Sequence, residues 1–387
     1  MNVLVFNSGS SSVKIRLFQM PEERLLAACQ VEKIGQPDAT FSHGEIEKVI
    51  SAPDHTAAIS YICNHLNLSP NDIAAVGHRV VQGGEKFIEA TPITPHVEKE
   101  IDALKAFAPL HTPPNIAGIQ AGQTIMPHAT HVAVFDTAFH QTMPEHAYRY
   151  AIPTIYYTRD HIRRYGFHGT SHRYVSERAS EILGHPFTGI TCHLGNGCSI
   201  TAIKNGQSVD TSMGFTPLEG VAMGTRSGDI DPAVVLNLAQ KLGIKETDHL
   251  LNRESGLLGL SEKSNDLREL LASAQEGDTK SQLALNIFSY RITKYIGSYL
   301  AILGPIDGII LTGGIGENSP DIRQQILANL THLGICLDLT KNTACIGQEN
   351  TISIETSPIK IFVIPTDEER LIARQTYRLT ANASMHS

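Results

Sequence analysis

The chain contains two copies of one local pattern, a strand followed by a short polar turn and a second strand. In the first copy, the apolar run at residues 3–6 is typical of a strand buried on both faces. A turn of Asn, Ser and Gly follows at 7–12, and residues 13–17 then alternate as in a half-buried strand. The second copy covers residues 189–204, and an Asn-Gly pair follows it at 205–206, a strong hairpin signal. Two related domains would account for this repetition.

Hairpins are common, so the two copies alone would not require related domains, but each half also contains a later strand ending in polar or glycine residues. These strands cover residues 131–137 and 307–314. Alternation of strands with helical patterns predicts an α/β fold. A length of 387 residues favours two domains, with a boundary predicted near residue 150. The clearest helical patterns cover residues 98–107, 171–183, 282–303, 321–333 and 368–379.

Composition and charge argue against several classes of partner. The formal net charge is −8, and the basic residues form no cluster of the kind that contacts nucleic acid. No apolar run approaches the roughly 18 residues of a membrane-spanning helix. The first ten residues lack the pattern of a signal peptide. We therefore expect a cytoplasmic protein that binds neither nucleic acid nor membranes.

The segment 212–232 has neither helical nor strand periodicity, and long irregular segments inside compact domains are usually functional. Its single cation, Arg226, lies between Gly224 and Gly228, where small neighbours allow a ligand to approach. A rigid, permanently charged guanidinium in such a place suits a carboxylate or phosphoryl group. A surface arginine in a turn is the competing interpretation.

Three glycine-containing turns follow predicted strands, at residues 7–12, 195–198 and 313–318. Turns of small residues expose backbone N–H groups that can surround phosphate oxygens. The third is predicted to lead into a helix, whose positive end favours anions. None matches the P-loop or dinucleotide-binding pattern. The three turns together predict a phosphorylated ligand bound in another way.

Three further side chains are candidates for chemistry. Arg79 lies in a short apolar strand, where a cation needs an anion, either an internal carboxylate or a ligand. His168 precedes a helix that Thr170 is expected to cap, and it either donates to a phosphoryl group or satisfies a turn. Asp136 ends a buried strand, as active-site carboxylates often do, or else pairs with an arginine.

Together these segments resemble the acetate and propionate kinase family over nearly the whole chain. That resemblance implies two ribonuclease-H-like (actin-type) domains around a nucleotide cleft. Residues 1–150 would form the N-terminal domain and residues 151–369 the nucleotide-binding domain, with a helix at 370–387 packing on the former. The motifs that carry the resemblance lie at residues 7–14, 77–84, 135–140, 166–172, 193–197, 212–232 and 313–318.

The resemblance implies reversible phosphoryl transfer from ATP to acetate, giving acetyl phosphate and ADP. It further implies a homodimer and a requirement for Mg²⁺, for which Mn²⁺ can substitute, with Asn7 and Glu368 as the magnesium-associated pair. A propionate-preferring kinase is the first alternative. A nucleotide-binding switch without catalysis is the second, because a fold does not fix an activity. The second alternative leaves Arg79, Arg226 and His168 without a shared task.

Four side chains take part in catalysis or carboxylate binding according to this resemblance. Arg79 corresponds to the ligand of the acetate carboxylate, and Arg226 to the group that stabilises the transferring phosphoryl. His168 corresponds to a transition-state donor. Asp136 corresponds to a catalytic acid or base. An orienting role toward the arginines is the alternative for Asp136, because a carboxylate nucleophile scarcely needs deprotonating.

The resemblance also implies contacts for both substrates. Those to the nucleotide are Lys14, His193, Leu194, Gly195, Asn196, Gly197, Asp266, Leu267, Arg268, Gly313, Gly314, Ile315, Gly316, Glu317 and Asn318. The apolar pocket for the acyl methyl is implied at Val81, Leu110, Phe167 and Pro217. One methylene changes binding by only about 1–3 kcal/mol, so the propionate alternative stays open. Gln82 replaces the histidine usual in the family, which bears on acyl preference or pH response.

Overall fold

The computed structural model describes residues 1–108 and 111–385 and divides the chain into two compact units. Unit 1 combines Met1–Gln141 with Asp367–Ser387, and unit 2 is Thr142–Thr366. The strands are β1 Asn2–Ser8, β2 Ser12–Gln19, β3 Arg24–Glu32, β4 Ala39–His43, β5 Ile46–Ile50, β6 Ala75–Val80, β7 Thr91–Pro92, β8 Thr130–Phe135, β9 Gly189–Leu194, β10 Cys198–Lys204, β11 Gln207–Thr211, β12 Gly308–Thr312, β13 Asn350–Thr351 and β14 Lys360–Val363.

Helices pack around both sheets. They are α1 His55–His65, α2 Pro95–Ala103, α3 Thr112–Ile125, α4 Glu145–Tyr148, α5 Ile155–Thr158, α6 Gly169–Leu183, α7 Pro232–Leu242, α8 Ile244–Arg253, α9 Gly256–Ser261, α10 Leu267–Gln275, α11 Thr279–Leu303, α12 Gly313–Asn318, α13 Pro320–Leu327, α14 Leu339–Ala344 and α15 Glu368–Met385. None of the helices within the described ranges combines the length and apolarity that crossing a bilayer requires.

The two sheets share one topology. The strand order in unit 1 is β5-β4-β3-β2-β1-β6-β8-β7, and in unit 2 it is β11-β10-β9-β12-β14-β13. In each unit three antiparallel strands (β3-β2-β1 and β11-β10-β9) continue into two strands that run parallel to the third (β6-β8 and β12-β14). The α/β class and the duplication predicted from the two strand–turn–strand patterns are therefore confirmed.

Helix α15 belongs to the core of unit 1, although it follows all of unit 2 in the chain. Ile372 and Ala373 are buried against Val3, Val5 and other strand residues. A Cβ built on Gly77 of β6 would lie 2.6 Å from the Ile372 side chain, so the helix lies directly on the sheet. This packing brings Glu368, at the start of α15, into unit 1.

Four predicted local features were wrong. The helix predicted at 98–107 spans Pro95–Ala103, and a separate 3-10 turn follows at Leu104–Ala106. Helix α6 was predicted to begin at Ser171 after a Thr170 cap, but it begins at Gly169. His168, the residue before it, has the left-handed conformation (φ 55°) and therefore cannot belong to the helix. The predicted turn at 313–318 is the short helix α12 itself. The helix predicted at 321–333 ends at Leu327, since Leu330 and Leu333, which continue its spacing, cap and end a separate 3-10 turn at Thr331–Leu333.

Candidate active site

The carboxyl ends of three neighbouring strands bring charged groups together in unit 1. Arg79 lies on β6, Asp136 directly follows β8, and Asn7 lies near the end of β1. The Arg79 guanidinium donates from Nε to Asp136 Oδ1 (3.1 Å) and from Nη2 to Asp136 Oδ2 (2.5 Å). It also donates from Nη1 to Asn7 Oδ1 (3.2 Å), and Glu368 Oε2 lies 3.5 Å from Nε. The anion that Arg79 requires is thus supplied within unit 1.

Burial opposes the charge of Arg79, and its carboxylate partners restore it. Burial alone would lower the pKa of this guanidinium, but the charges of Asp136 and Glu368 outweigh it and raise the pKa above its ordinary value. The Asp136 side chain is only 1% exposed, so its bidentate bond to Arg79 is shielded from solvent. Asp136 therefore fixes the orientation of Arg79, which favours the orienting role over that of an acid or base.

The implied magnesium pair, Asn7 and Glu368, lies around the same guanidinium. An amide oxygen and a carboxylate are hard donors that suit Mg²⁺. Among residues 1–108 and 111–385, no group of three or more His, Cys, Asp or Glu side chains could hold a metal by itself. Mg²⁺ usually takes one or two protein oxygens and completes its shell with water and substrate phosphates. The donor set therefore fits a magnesium ion that arrives with a nucleotide.

The remaining unit 1 candidates border this group of strands. Lys14 is exposed on β2 and pairs in register with Asn7 of β1. Val81 follows β6 and is buried, and its N–H donates to Asn115 Oδ1 at 3.0 Å. Gln82 is fully buried and accepts a bond from Gly84 N at 3.0 Å. Leu110, the other predicted pocket residue of this half, lies outside the described residues.

In unit 2, a group of histidines surrounds the start of α6. His168 Nδ1 lies 3.0 Å from Ser199 Oγ, and His172 Nε2 lies 2.6 Å from the same hydroxyl. The rings of His168 and His193 are tilted by 30° with centroids 4.3 Å apart. A non-glycine residue in the left-handed region costs about 1–3 kcal/mol and is concentrated at functional sites. These contacts hold His168 in that conformation.

Arg226 lies close to His168. A Cβ built on Gly197 would be 3.4 Å from His168 Nε2 and 3.5 Å from Arg226 Nη1, so both side chains border the space beside this glycine. Arg226 Nη1 donates to Pro217 O at 3.4 Å, and across the described ranges no carboxylate lies within ion-pair distance of it. Burial, and secondarily the charge of Arg253, lower the pKa of Arg226. Arg226 is thus a partly desolvated cation that has no carboxylate counter-ion in the part of the chain that the structure describes.

The irregular segment 212–232 contacts Asn196 in the turn between β9 and β10. Gly224 N donates to Asn196 O at 3.0 Å, and a Cβ on Gly224 would lie 1.9 Å from Asn196 Oδ1. Only glycine permits this approach. The contact fixes the distance between the turn at 195–198 and the segment carrying Arg226.

A cleft of about 640 Å³ lies beside this turn in unit 2. Many predicted nucleotide contacts line it: Gly195, Asn196, Asp266, Leu267, Arg268, Gly314, Ile315 and Asn318. Other predicted contacts are neighbours that do not line it: His193, Leu194, Gly197, Gly313, Gly316 and Glu317. Glu317 instead accepts the N–H groups of Gly313 (2.8 Å) and Thr366 (3.1 Å).

Several lining residues were not predicted from the sequence. Asn265 lines the cleft and donates to Asn196 Oδ1 at 2.9 Å, and Leu271 supplies an apolar wall. The proximity of Asn265 to the predicted run 266–268 is the signal that could have identified it. Of the unit 2 acyl-pocket candidates, Phe167 is 2% exposed and Pro217 is half-buried beside Arg226.

The duplicated sheets, the histidine group and the partly desolvated cation are features that suit an α/β phosphotransferase. The Acetokinase family matches residues 2–374. The acetate kinase of Bacillus cytotoxicus is 50% identical, covering 97% of this chain and 98% of that protein. The acetate kinase of Symbiobacterium thermophilum is 48% identical, covering 99% and 100%. This chain therefore belongs to the acetokinase family.

Solved structures agree with this assignment. The crystal structure of Porphyromonas gingivalis acetate kinase has a TM-score of 0.93 and 44% identity, with 98% of this chain and 99% of that chain covered. A propionate kinase from Francisella tularensis also has a TM-score of 0.93, with 42% identity and coverage of 97% and 99%. The predicted family and two-domain α/β fold are confirmed, and the chain is a kinase.

Proposed function

We propose that this kinase transfers a phosphoryl group reversibly between ATP and acetate, forming acetyl phosphate and ADP. The observation that carries the proposal is the pairing of Arg226 with His168 beside Gly197. A half-buried guanidinium that lacks a carboxylate favours an incoming anion. Because acetate and the terminal phosphate are both anions, their mutual repulsion has to be offset. Arg226 stabilises the transferring phosphoryl group, and His168 donates a hydrogen bond to it.

We assign the acetate carboxylate to Arg79. Asp136 orients the Arg79 guanidinium. We assign no acid–base step to Asp136, because acetate attacks as a carboxylate and has no proton to lose. Among the residues that the structure describes in unit 1, buried Val81, beside the strand that bears Arg79, is the candidate contact of the acyl methyl. Holding the nucleophile in one orientation is itself a large part of catalysis.

We assign the nucleotide to the cleft of unit 2. The glycines of its walls leave room for close approach, and Asn196 is fixed there by Asn265 and Gly224. Lys14 contributes a cation to the phosphates. Bound Mg²⁺, which Mn²⁺ can replace, neutralises charge on phosphate oxygens. Asn7 and Glu368 would hold the ion. In this structure their side-chain oxygens contact the Arg79 guanidinium.

A hydroxylamine trap tests the proposal directly. Wild-type protein, ATP, Mg²⁺ and acetate should yield acetohydroxamate, because hydroxylamine intercepts acyl phosphate. Omitting acetate is the matched control. A protein that binds ADP but forms no hydroxamate would be a nucleotide-binding switch, and the proposed function would be wrong.

A propionate preference is the second candidate, favoured by the similarity to the Francisella tularensis propionate kinase and by the buried Gln82 next to Val81. Comparing kcat/KM for acetate, propionate and butyrate decides between the two. Gln82→His, which restores the family's usual residue, shows whether this position sets the preference. A homodimer and a cytoplasmic location stay predictions, testable by light scattering and by fractionation.

A further inference from the structure

One arginine in unit 2 binds the beginning of the irregular segment from several directions. Arg164 Nη1 donates to the carbonyl oxygens of Thr211 (2.9 Å), Ser212 (3.0 Å) and Met213 (3.2 Å). Its Nη2 donates to Glu219 Oε1 at 2.5 Å. A single guanidinium thus joins three consecutive carbonyl groups to a carboxylate further along the segment. A lysine, with one compact ammonium, does not reproduce this planar set of donors.

Tyr150 completes the arrangement at Glu219. Its hydroxyl donates to Glu219 Oε2 and accepts the N–H of Phe215 at 2.8 Å. A Cβ on Gly214 would lie 1.7 Å from Glu219 Oε2 and 2.3 Å from the Tyr150 oxygen. The backbone therefore passes against the carboxylate at a distance that only glycine allows. The charge of Glu219 outweighs the burial of Arg164 and raises the pKa of that guanidinium.

The same network reaches both groups assigned to the phosphoryl. Gly214 O accepts the N–H of Tyr165 (3.0 Å) and of Gly166 (3.3 Å), which lead directly to His168. Two residues before Glu219, the Pro217 carbonyl accepts the bond from Arg226 Nη1. The bond between Arg164 and Glu219 therefore connects the segment that carries His168 to the segment that carries Arg226.

A second set of hydrogen bonds fixes the other end of the segment, at Asp229. Asp229 exchanges bonds with Gly220, since its Oδ1 accepts Gly220 N (2.9 Å) and its N donates to Gly220 O (2.8 Å). Tyr295 donates to Asp229 Oδ2 at 2.7 Å. The chain from Glu219 to Asp229 is thus anchored at both ends, with Arg226 between the anchors. Such anchoring limits the positions that Arg226 can take.

We infer that Arg164 and Glu219 are a positioning pair that holds Arg226 in its place for phosphoryl transfer. This inference rests on the proposed function. Neither side chain is assigned a contact with substrate, so their effect passes through Arg226. Displacement of a catalytic group by about 1 Å can cost about 10²-fold in rate. Disrupting the pair should therefore lower kcat and leave the nucleotide cleft intact.

The first test is Arg164→Lys, which keeps the charge but loses the set of parallel donors. We expect kcat to fall about 10²-fold while KM for ATP changes less than about twofold. ADP affinity, measured by calorimetry, should be unchanged. The matched control is Arg178→Lys, on the exposed side of α6 and paired with Glu181 and Glu349, whose kcat should equal that of wild type.

A double-mutant cycle with Arg226→Lys separates positioning from general loosening of the fold. If Arg164 acts through Arg226, Arg164→Lys should cost less than about threefold in kcat once Arg226 is already replaced. The same factor in both backgrounds would overturn the inference. If Arg164→Lys does not fold, Glu219→Gln decides in the same cycle, because it keeps the side-chain volume and removes the charge.

The outcomes distinguish this inference from the proposed function. A wild-type protein that forms no hydroxamate overturns both. A wild-type protein that forms hydroxamate, together with an unchanged kcat in folded Arg164→Lys and Glu219→Gln, overturns only the positioning role. A loss of kcat that vanishes in the Arg226→Lys background supports it.

Discussion

Arg79 of unit 1 and Arg226 of unit 2 are both withdrawn from water, but their surroundings differ. Arg79 is neutralised by Asp136 and Glu368, which raise its pKa. Arg226 faces carbonyl oxygen and sulfur, and burial lowers its pKa. One charge is satisfied before any ligand arrives, and the other is not. The comparison shows two ways of placing a cation in an active site.

The two ways have different consequences. A paired arginine is rigid and contributes to the fold, but a ligand carboxylate has to share it with residues already bound. An unpaired, desolvated arginine costs stability, and an incoming anion recovers that cost. The first suits orientation of a substrate, and the second suits stabilisation of charge that develops during the reaction.

Arg226→Ala should have the largest effect on activity. Arginines that stabilise phosphoryl transfer in other enzymes contribute about 10³–10⁵ in rate, so we expect kcat to fall by at least about 10³-fold. Steady-state kinetics at saturating ATP and acetate measure this. Arg178→Ala, at an exposed arginine of α6 that pairs with Glu181 and Glu349, is the control. Activity near that of wild type in Arg226→Ala would remove the distinction between the two arginines.

Arg79→Ala should act mainly on acetate. Loss of a hydrogen-bonded charge contact costs about 1.5–3 kcal/mol, which corresponds to an increase of about 10–100-fold in the KM for acetate. The KM for ATP should change much less, because no contact with the nucleotide is assigned to the Arg79 side chain. If the ATP constant rose as much as the acetate constant, the assignment of the carboxylate to Arg79 would be lost.

The free energy of unfolding should depend on the surroundings of Arg79 more than on Arg226, the reverse of their order in kcat. Asp136→Ala leaves Arg79 without its main partner, and breaking a buried ion pair costs about 3–5 kcal/mol in free energy of unfolding. Arg226→Met removes a desolvated charge while keeping an unbranched side chain, so stability should be unchanged or higher. Urea denaturation of both variants measures the difference. Comparable destabilisation in the two would contradict the comparison.

A smaller effect should appear with pH, and in unit 1. Burial lowers the pKa of both His78 and His131, whose rings are joined by a 2.9 Å bond. Below about pH 6.5 these histidines bind protons in the unfolded chain but stay neutral in the folded protein. The free energy of unfolding therefore falls as the pH falls.

Urea unfolding at pH 7.5 and pH 5.5 measures this loss, which should be about 1–2 kcal/mol larger in wild type than in His78→Gln. His96→Gln, which alters an exposed histidine, is the control and should behave as wild type. Identical pH profiles for wild type and His78→Gln would exclude the buried pair as the cause.

Much of the fold could be predicted because it is written in local patterns. The apolar run at 3–6 and the alternation at 13–17 recur at 189–204, and the two sheets repeat the same order. The helix start at Gly169, directly after His168, could not be predicted, because a left-handed histidine depends on tertiary contacts with Ser199 and His193.

The candidate site was predictable in composition more than in geometry. The need of Arg79 for an anion follows from its apolar strand, but whether that anion was internal could only be seen once β6 and β8 were adjacent. The network of Arg164 gave no sequence signal, since its partners are mainly carbonyl oxygens, which every residue carries.

The position of α15 sets an order of assembly during translation. Strands β1, β6 and β8 leave the ribosome early, yet the apolar surface that Ile372 and Ala373 cover stays open until unit 2 has been synthesised. Glu368 reaches its place beside Arg79 at the same late moment. Nascent chains interrupted before this helix therefore expose a hydrophobic face to chaperones and proteases, and they lack one candidate magnesium ligand.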